Sequence, residues 1–77
     1  MARMPDPVID LRGLEPPEPL LRILEELEER AVSTRVFLLA REPFPLYPLI
    51  SGMGWRHALR QDDRGWELTL TRDSRIS

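Results

Sequence analysis

Cysteine is absent from this sequence, and that absence excludes several kinds of chemistry at once. A chain without a thiol has no disulfide, no thiolate nucleophile and no cysteine ligand for a metal. The single histidine, His57, does not by itself supply the several imidazoles of a histidine metal site. We therefore expect no catalytic residues, no metal and no cofactor, and we predict that the protein is not an enzyme.

Lysine and asparagine are absent too: all eleven basic residues are arginine, and Gln61 is the one glutamine. Few thermolabile side chains and eight prolines are compatible with a thermophilic source, although a GC-rich genome gives the same bias. No apolar run approaches the roughly 20 residues of a membrane span. Residues 1–10 lack the apolar segment of a secretory signal. We therefore predict a cytoplasmic protein without a membrane partner.

The length and charge of the chain set further limits. Its 77 residues allow a single domain, residues 1–77, with a folded core at about residues 8–72. The formal net charge of −2 gives no overall attraction to nucleic acid, so nucleic acid is not the partner that we predict first.

The first half of the chain predicts a strand, a turn and an amphipathic helix. Residues 8–11 form the strand, and residues 12–16 form a turn in which Gly13 is free to take a positive φ. Residues 17–30 form the helix, and three prolines crowd its start. Its apolar residues recur at helical spacing on one face: Leu20, Ile23, Leu24, Leu27 and Ala31.

The second half predicts a buried strand, a short helix and a hairpin. Residues 33–40 form an apolar, central strand, and residues 46–53 form a helix after the loop 41–45. Residues 55–60 and 65–72 form a hairpin around the polar turn QDDRG. The short helix is expected to bury one side, which carries Leu46, Leu49, Ile50 and Met53.

The resulting order β-α-β-α-β-β predicts an α/β (α+β) two-layer sandwich, with a four-stranded mixed sheet and both helices on one face. The first β-α-β crossover is expected to be right-handed. The other face of the sheet is open, and Phe37 or Val36, depending on register, projects there from the central strand. An exposed apolar row on this face is where we expect a homodimer or a binding surface.

The segment LRGLEPPEPLLRIL resembles the signature of the TusA/SirA-like sulfur-carrier superfamily. In that superfamily a strand leads through Arg-Gly into a Cys-Pro-x-Pro motif at the start of the first helix. The resemblance covers about residues 9–72 and implies the same β-α-β-α-β-β fold. The positions of this chain that match the pattern are Asp10, Arg12, Gly13, Leu14, Pro17, Glu18 and Pro19.

One departure from this signature decides what the resemblance implies about function. Pro16 stands where the carriers have the cysteine that carries the persulfide, and no other cysteine can replace it. Because proline has no thiol, the chain cannot carry sulfur by that mechanism. The segment PPEPL, with REPFPLYPLI at residues 41–50, resembles a cysteine-less, uncharacterised branch of the superfamily. Such relatives often accompany haemerythrin-like and other redox proteins.

We therefore predict an interaction module that binds another protein or a small ligand through two loops. The first loop precedes the long helix, where its prolines suit either a rigid helix start or a loop that contacts a ligand. The second loop follows the central strand, at a strand end where α/β sites gather. The predicted surface consists of Arg12, Gly13, Glu15, Pro16, Pro17, Glu18, Arg41, Glu42 and Tyr47.

Several polar residues also have a purely structural interpretation. Arg12 is expected to pair with Asp10 or with a carboxylate of the helix, rather than to bind an anion. Asp62 and Asp63 are interpreted as turn formers, because adjacent side chains in a turn point apart. His57 shares a strand face with apolar residues and is expected to be packed or half-buried.

Two alternative functions stay open. An RNA-binding domain would use the arginines near Trp55 and Trp66, although acidic residues lie in the same segment. A non-carrying accessory of a sulfur-transfer or redox system would bind the partners of a carrier without carrying sulfur. The arginines of the first alternative are Arg56, Arg60, Arg64, Arg72 and Arg75.

Overall fold

The computed structural model of the protein describes residues 8–28 and 33–73. The elements are β1 Val8–Asp10, α1 Glu18–Leu27, β2 Thr34–Leu39, α2 Leu46–Ser51, β3 Trp55–Asp62 and β4 Gly65–Arg72. They follow the predicted order and form a four-stranded mixed sheet with two helices, so the predicted fold class is confirmed. Of the helices in these residues, none has the length and apolar character to cross a membrane.

The sheet has the strand order β1-β2-β4-β3, so β2 is an interior strand, as its apolar sequence predicts. β1 runs parallel to β2, with Ile9 opposite Phe37. β4 runs antiparallel to β2 and forms a hairpin with β3, and Leu68 lies opposite both Phe37 and Leu59. A parallel pair of strands needs a crossover connection, and α1 is part of the crossover that joins β1 to β2.

Both helices pack on one face of the sheet. α1 contributes Ile23 and Leu27 to the core, and α2 contributes Leu46 and Ile50. Strand residues two apart point to the same face, which is why alternate residues of β2 and β4 meet both helices. The rest of the buried cluster consists of Leu11, Phe37, Leu39, Trp55, Leu68 and Leu70.

α1 begins at Glu18, one residue later than the sequence predicts. Pro17 is its N-cap, and Pro19 lies in the first turn, where a missing N–H breaks no helical hydrogen bond. The prolines are therefore compatible with a rigid helix start. The predicted end of this helix, with Ala31, falls on residues 29–32, which lie outside the described residues.

α2 ends at Ser51, two residues earlier than the sequence predicts. The prediction that Leu49 and Met53 join the core is wrong, because their exposed fractions are 46% and 45%. In a helix of six residues, only Leu46 and Ile50, one turn apart, face the sheet.

The opposite face of the sheet carries Val36 and not Phe37. Phe37 is fully buried in the cluster that contains both helices, so Val36, its neighbour along the strand, points the other way. Leu38 shares the face of Val36 and is buried, although it lies outside the helix-side cluster. Its partners across the ladders are Asp10 and Glu67, which belong to a network of charged side chains.

Two glycines in the described residues have a positive φ, Gly54 and Gly65, whereas Gly13, which is free to take one, does not. Gly13 lies in an open turn, where an added Cβ would have nothing within 4 Å. At Gly65, with φ of +136°, an added Cβ would lie 2.5 Å from the carbonyl oxygen of Leu39. Gly65 is thus required where the start of β4 approaches the end of β2.

The hairpin turn is shorter than the sequence predicts, because β3 continues to Asp62 and leaves Asp63 and Arg64 as the turn. Asp62 Oδ1 accepts a hydrogen bond from the Arg64 amide at 2.9 Å, so Asp62 acts as the predicted turn former. Arg60 and Glu67 lie opposite each other on β3 and β4 and form a cross-strand ion pair.

Candidate binding cleft

Two loops meet at the carboxyl ends of the parallel strands β1 and β2. Residues 11–17 lead from β1 into α1, and residues 40–45 lead from β2 into α2. Neighbouring parallel strands end at the same edge of a sheet, and this is the edge where open α/β sheets bind ligands. Between the loops is a cleft of about 460 Å³, a volume typical of small-ligand sites.

Apolar residues form most of the wall of this cleft. Some of them belong to the hydrophobic core and form its floor: Leu11, Ile23, Leu39 and Leu46. Others are prolines of the two loops and of the first turn of α1: Pro16, Pro17, Pro19, Pro43 and Pro45. Charged side chains complete the lining: Arg12, Glu15, Arg41 and Glu42.

Arg12 is held in place through its whole guanidinium group. Its Nε and Nη2 donate to the two carboxylate oxygens of Asp10 at 2.9 and 2.7 Å, and its Nη1 donates to the Arg64 carbonyl oxygen at 3.1 Å. The hydrogen bonds from this side chain, and then from the Arg12 amide, lower the pKa of Asp10 to about 2. The bond to Asp10 also raises the pKa of Arg12. Arg12 therefore joins β1 to the hairpin turn, as its structural interpretation predicts.

The start of α1 offers few hydrogen-bond donors to the cleft. Its three prolines have no N–H, the Glu18 amide donates to the Glu15 carbonyl oxygen at 2.8 Å, and the Leu21 amide donates to the Pro17 carbonyl oxygen at 3.1 Å. A helix N-terminus binds an anion through free amides. With most amides missing or used, and with two glutamates beside them, this helix start is a poor anion site.

Glu42 is held by an aromatic cluster behind the second loop. The Tyr47 hydroxyl donates to Glu42 Oε2 at 3.2 Å. Burial, and then this hydrogen bond, raise the pKa of Tyr47. The Tyr47 ring meets Phe44 edge-on and stacks on His57, with centroids 4.4 Å apart. His57 is packed by one ring face against Tyr47, as one of the two predictions for it states, but it is exposed and not half-buried.

The structure brings most of the predicted surface to the cleft. Gly13 and Glu18 do not line it, and Tyr47 reaches it only through its hydrogen bond to Glu42. Of the predicted surface residues 41, 42 and 47, Glu42 and Tyr47 form a hydrogen-bonded pair, while Arg41 has no hydrogen bond or ion pair within the described residues. The predicted residues that do line the cleft are Arg12, Glu15, Pro16, Pro17, Arg41 and Glu42.

Apart from Pro16 and Pro17, the apolar wall is the part of the cleft that the sequence did not predict. Leu14, Leu20 and Ala40 line it together with residues of the core. Such residue types are common throughout a chain, so they carry no signal of their own. Their position in the sequence is the signal that could have indicated this wall, because Leu14 and Ala40 each follow one of the two parallel strands.

The described hairpin arginines lie outside the cleft, and two of them, Arg60 and Arg64, have acidic partners. Arg60 pairs with Glu67, and Arg64 pairs with Asp62 at 2.8 Å and lies 3.6 Å from Glu67. The hydrogen bond from the Arg64 side chain lowers the pKa of Asp62. Arg75, the last arginine of the predicted RNA surface, lies outside the described residues.

Comparison with known families shows which family the chain belongs to. Residues 8–72 match a family described as "Uncharacterized conserved protein (DUF2249)". The chain belongs to the DUF2249 family. No curated protein and no solved structure matches it. The DUF2249 match includes both loops that form the cleft.

Proposed function

We propose that this DUF2249 protein is a non-enzymatic interaction module that holds an apolar group of a small ligand or partner protein in the cleft. The cleft itself carries the proposal. It offers about 460 Å³ of concave, mainly apolar surface at the carboxyl ends of two parallel strands. An apolar group that replaces water on such a surface gains the free energy of hydrophobic burial.

The charged side chains of the cleft favour binding over catalysis. Catalytic acids and bases typically owe their function to burial or to a specific charge partner that shifts their pKa. Here Glu15 and Arg41 are exposed, and Arg12 and Glu42 hold hydrogen bonds that serve the fold. This arrangement suits the recognition of a ligand.

We further propose that the scaffold is related to the TusA/SirA-like sulfur carriers. The element order and the Arg-Gly turn before α1 support this relationship, and Pro16, at the position of the persulfide cysteine, lines the cleft. In this proposal the protein binds a partner of a carrier without accepting sulfur. Competition with a TusA-like carrier for its partner is the expected result, and binding of both proteins at once would count against the proposal.

RNA binding by the hairpin is the alternative that the pairing of charges disfavours. Residues 55–73 contain four arginines and four carboxylates, so their formal charge is zero. Phosphate binding depends on positive charge that the protein does not itself neutralise. An RNA complex at low salt that weakens in the Arg56→Ala variant would favour this alternative over the cleft.

Titration with phenylbutanol, an uncharged apolar probe, tests the cleft. We expect millimolar binding, about what a ligand of this size can reach, and a rise in melting temperature. Amide shifts in NMR spectra should concentrate at Leu14, Leu20 and Ala40, which line the cleft.

Two alanine variants provide the matched pair. Ala40→Phe places a ring in the cleft and is expected to reduce binding at least tenfold. Ala58→Phe adds the same ring at an exposed position of β3, outside the cleft, and should leave binding unchanged. Unaltered binding by the Ala40→Phe variant, or no shifts at the cleft, would overturn the proposed function.

A further inference from the structure

The charges around the cleft do not balance. Two arginines and two glutamates line it, but Asp10 neutralises one of the arginines, Arg12, through hydrogen bonds of 2.9 and 2.7 Å. This leaves the carboxylates of Glu15 and Glu42 against the single guanidinium of Arg41. Two negative charges and one positive charge give the cleft a formal charge of −1.

The cleft offers free carboxylate oxygens to a ligand. Five of its lining residues are prolines, which have no N–H to donate. Within the described residues, Glu42 uses Oε2 for the Tyr47 hydroxyl, and its Oε1 has no hydrogen bond. Glu15 has no side-chain hydrogen bond or ion pair there either. A ligand that brings donors therefore finds acceptors in these two carboxylates, beside the single guanidinium of Arg41.

We infer that the cleft takes a cationic amphiphile, that is, an apolar body with an ammonium group at one end. This inference rests on the proposed function and names the chemical class of its ligand. The apolar body lies against the floor formed by the core residues, and the ammonium group lies at the rim near Glu15 and Glu42. Arg41, the one like charge, is exposed, so water and salt screen its repulsion of the ligand.

Three probes with one apolar body separate charge from apolar contact: phenylbutylamine, phenylbutanol and phenylbutyrate. At neutral pH and low salt, the full chain is expected to bind the amine about two- to fivefold tighter than the alcohol, the range for a partly exposed ion pair. The carboxylate is expected to bind more weakly than the alcohol. About 1 M salt should bring the three affinities together, because it screens exposed charges.

A pair of glutamate variants locates the charge. Glu15→Gln is expected to reduce the preference for the amine over the alcohol about twofold. Glu25→Gln is the control, because Glu25 lies on the exposed side of α1 and does not line the cleft. It should keep the full preference.

The outcomes distinguish the inference from the proposed function. Equal affinity for the amine and the alcohol, tighter binding of the carboxylate, or the same loss of preference in both glutamate variants overturns the inference alone. Binding of the alcohol in the cleft would then still support the proposed function. If none of the three probes binds, or if Ala40→Phe does not reduce their binding, the proposed function fails and the inference fails with it.

Discussion

Arg12 shows how this protein uses a charged side chain for structure. Its place beside Gly13 and before a helix is typical of an anion-binding residue, but its guanidinium closes on Asp10 and on the carbonyl oxygen of Arg64. The arginine thus links the end of β1 to the β3–β4 turn. Because both partners of this ion pair are exposed, its effect on stability depends on salt and on pH.

Asp10 predicts a change in stability at acid pH. Its pKa is about 2 in the folded protein, below its ordinary value of 3.8. A folded-state pKa below the unfolded value contributes stability that is present above about pH 4 and is lost as the pH falls towards 2. We expect the free energy of unfolding, measured by urea denaturation at each pH, to fall less steeply over this window in Asp10→Asn than in the wild type.

Asp63 provides the control for that measurement. It lies in the hairpin turn and has no ion pair within the described residues, so Asp63→Asn should keep the slope of the wild type. If the free energy of unfolding of Asp10→Asn falls with pH as steeply as that of the wild type, the prediction is contradicted.

Among the secondary-structure elements, α1 has an N-terminus of the kind that can activate a nucleophile in other proteins, but it lacks the features that do so. A helix N-terminus lowers the pKa of a thiol through its free amides and its dipole. In α1 prolines replace several of those amides, and Glu15 and Glu18 add negative charge. The element therefore contributes a rigid rim to the cleft and offers little stabilisation to an anion.

This property of α1 predicts the behaviour of a cysteine placed in its first loop. We expect the thiol of Pro16→Cys to keep a pKa of about 8–9, near that of a free cysteine. The rate of alkylation by iodoacetamide, followed against pH, measures it. Adding Pro19→Ala restores an amide to the first turn, and Glu18→Gln removes a negative charge, so each should lower the midpoint. A midpoint below about pH 7 in Pro16→Cys alone would contradict this prediction.

For the molecule as a whole, the two faces of the sheet have different roles. One face carries both helices and nearly all of the buried apolar residues. The other carries Val36 and threonines of β2 and β4, with Leu38 buried beside a network of paired charges. A domain of 77 residues has a stability of about 4–12 kcal/mol, so its core depends on a few large side chains.

The two-layer arrangement predicts opposite outcomes for neighbouring residues of β2. Phe37→Ala removes a fully buried ring and is expected to cost about 3–5 kcal/mol, a large fraction of the stability of the protein. Val36→Ala, on the other face, is expected to cost about 1 kcal/mol. Guanidinium denaturation of both variants checks the difference. Similar losses at the two positions would mean that the faces are not distinct.

Local pattern was enough to predict the order of the elements and the fold class. The apolar spacing of α1, the alternation of β3 and β4 and the apolar run of β2 are each contained within one segment, and each has a period that belongs to one kind of structure. Composition likewise determined that no thiol chemistry is available. The prolines before α1, with the resemblance to the sulfur carriers, indicated the first loop of the cleft, and position at the end of a strand indicated the second.

Contacts between distant segments decided what local pattern could not. Whether Val36 or Phe37 faces the helices depends on the register of β2 against β1 and β4. Glycine is required at position 65 because the carbonyl oxygen of Leu39 lies where a Cβ would be. The bond from Arg12 to Arg64 spans 52 residues of chain. The apolar spacing of a short helix such as α2 does not show how many of its turns contact the sheet. Tertiary packing determines which of its side chains are buried.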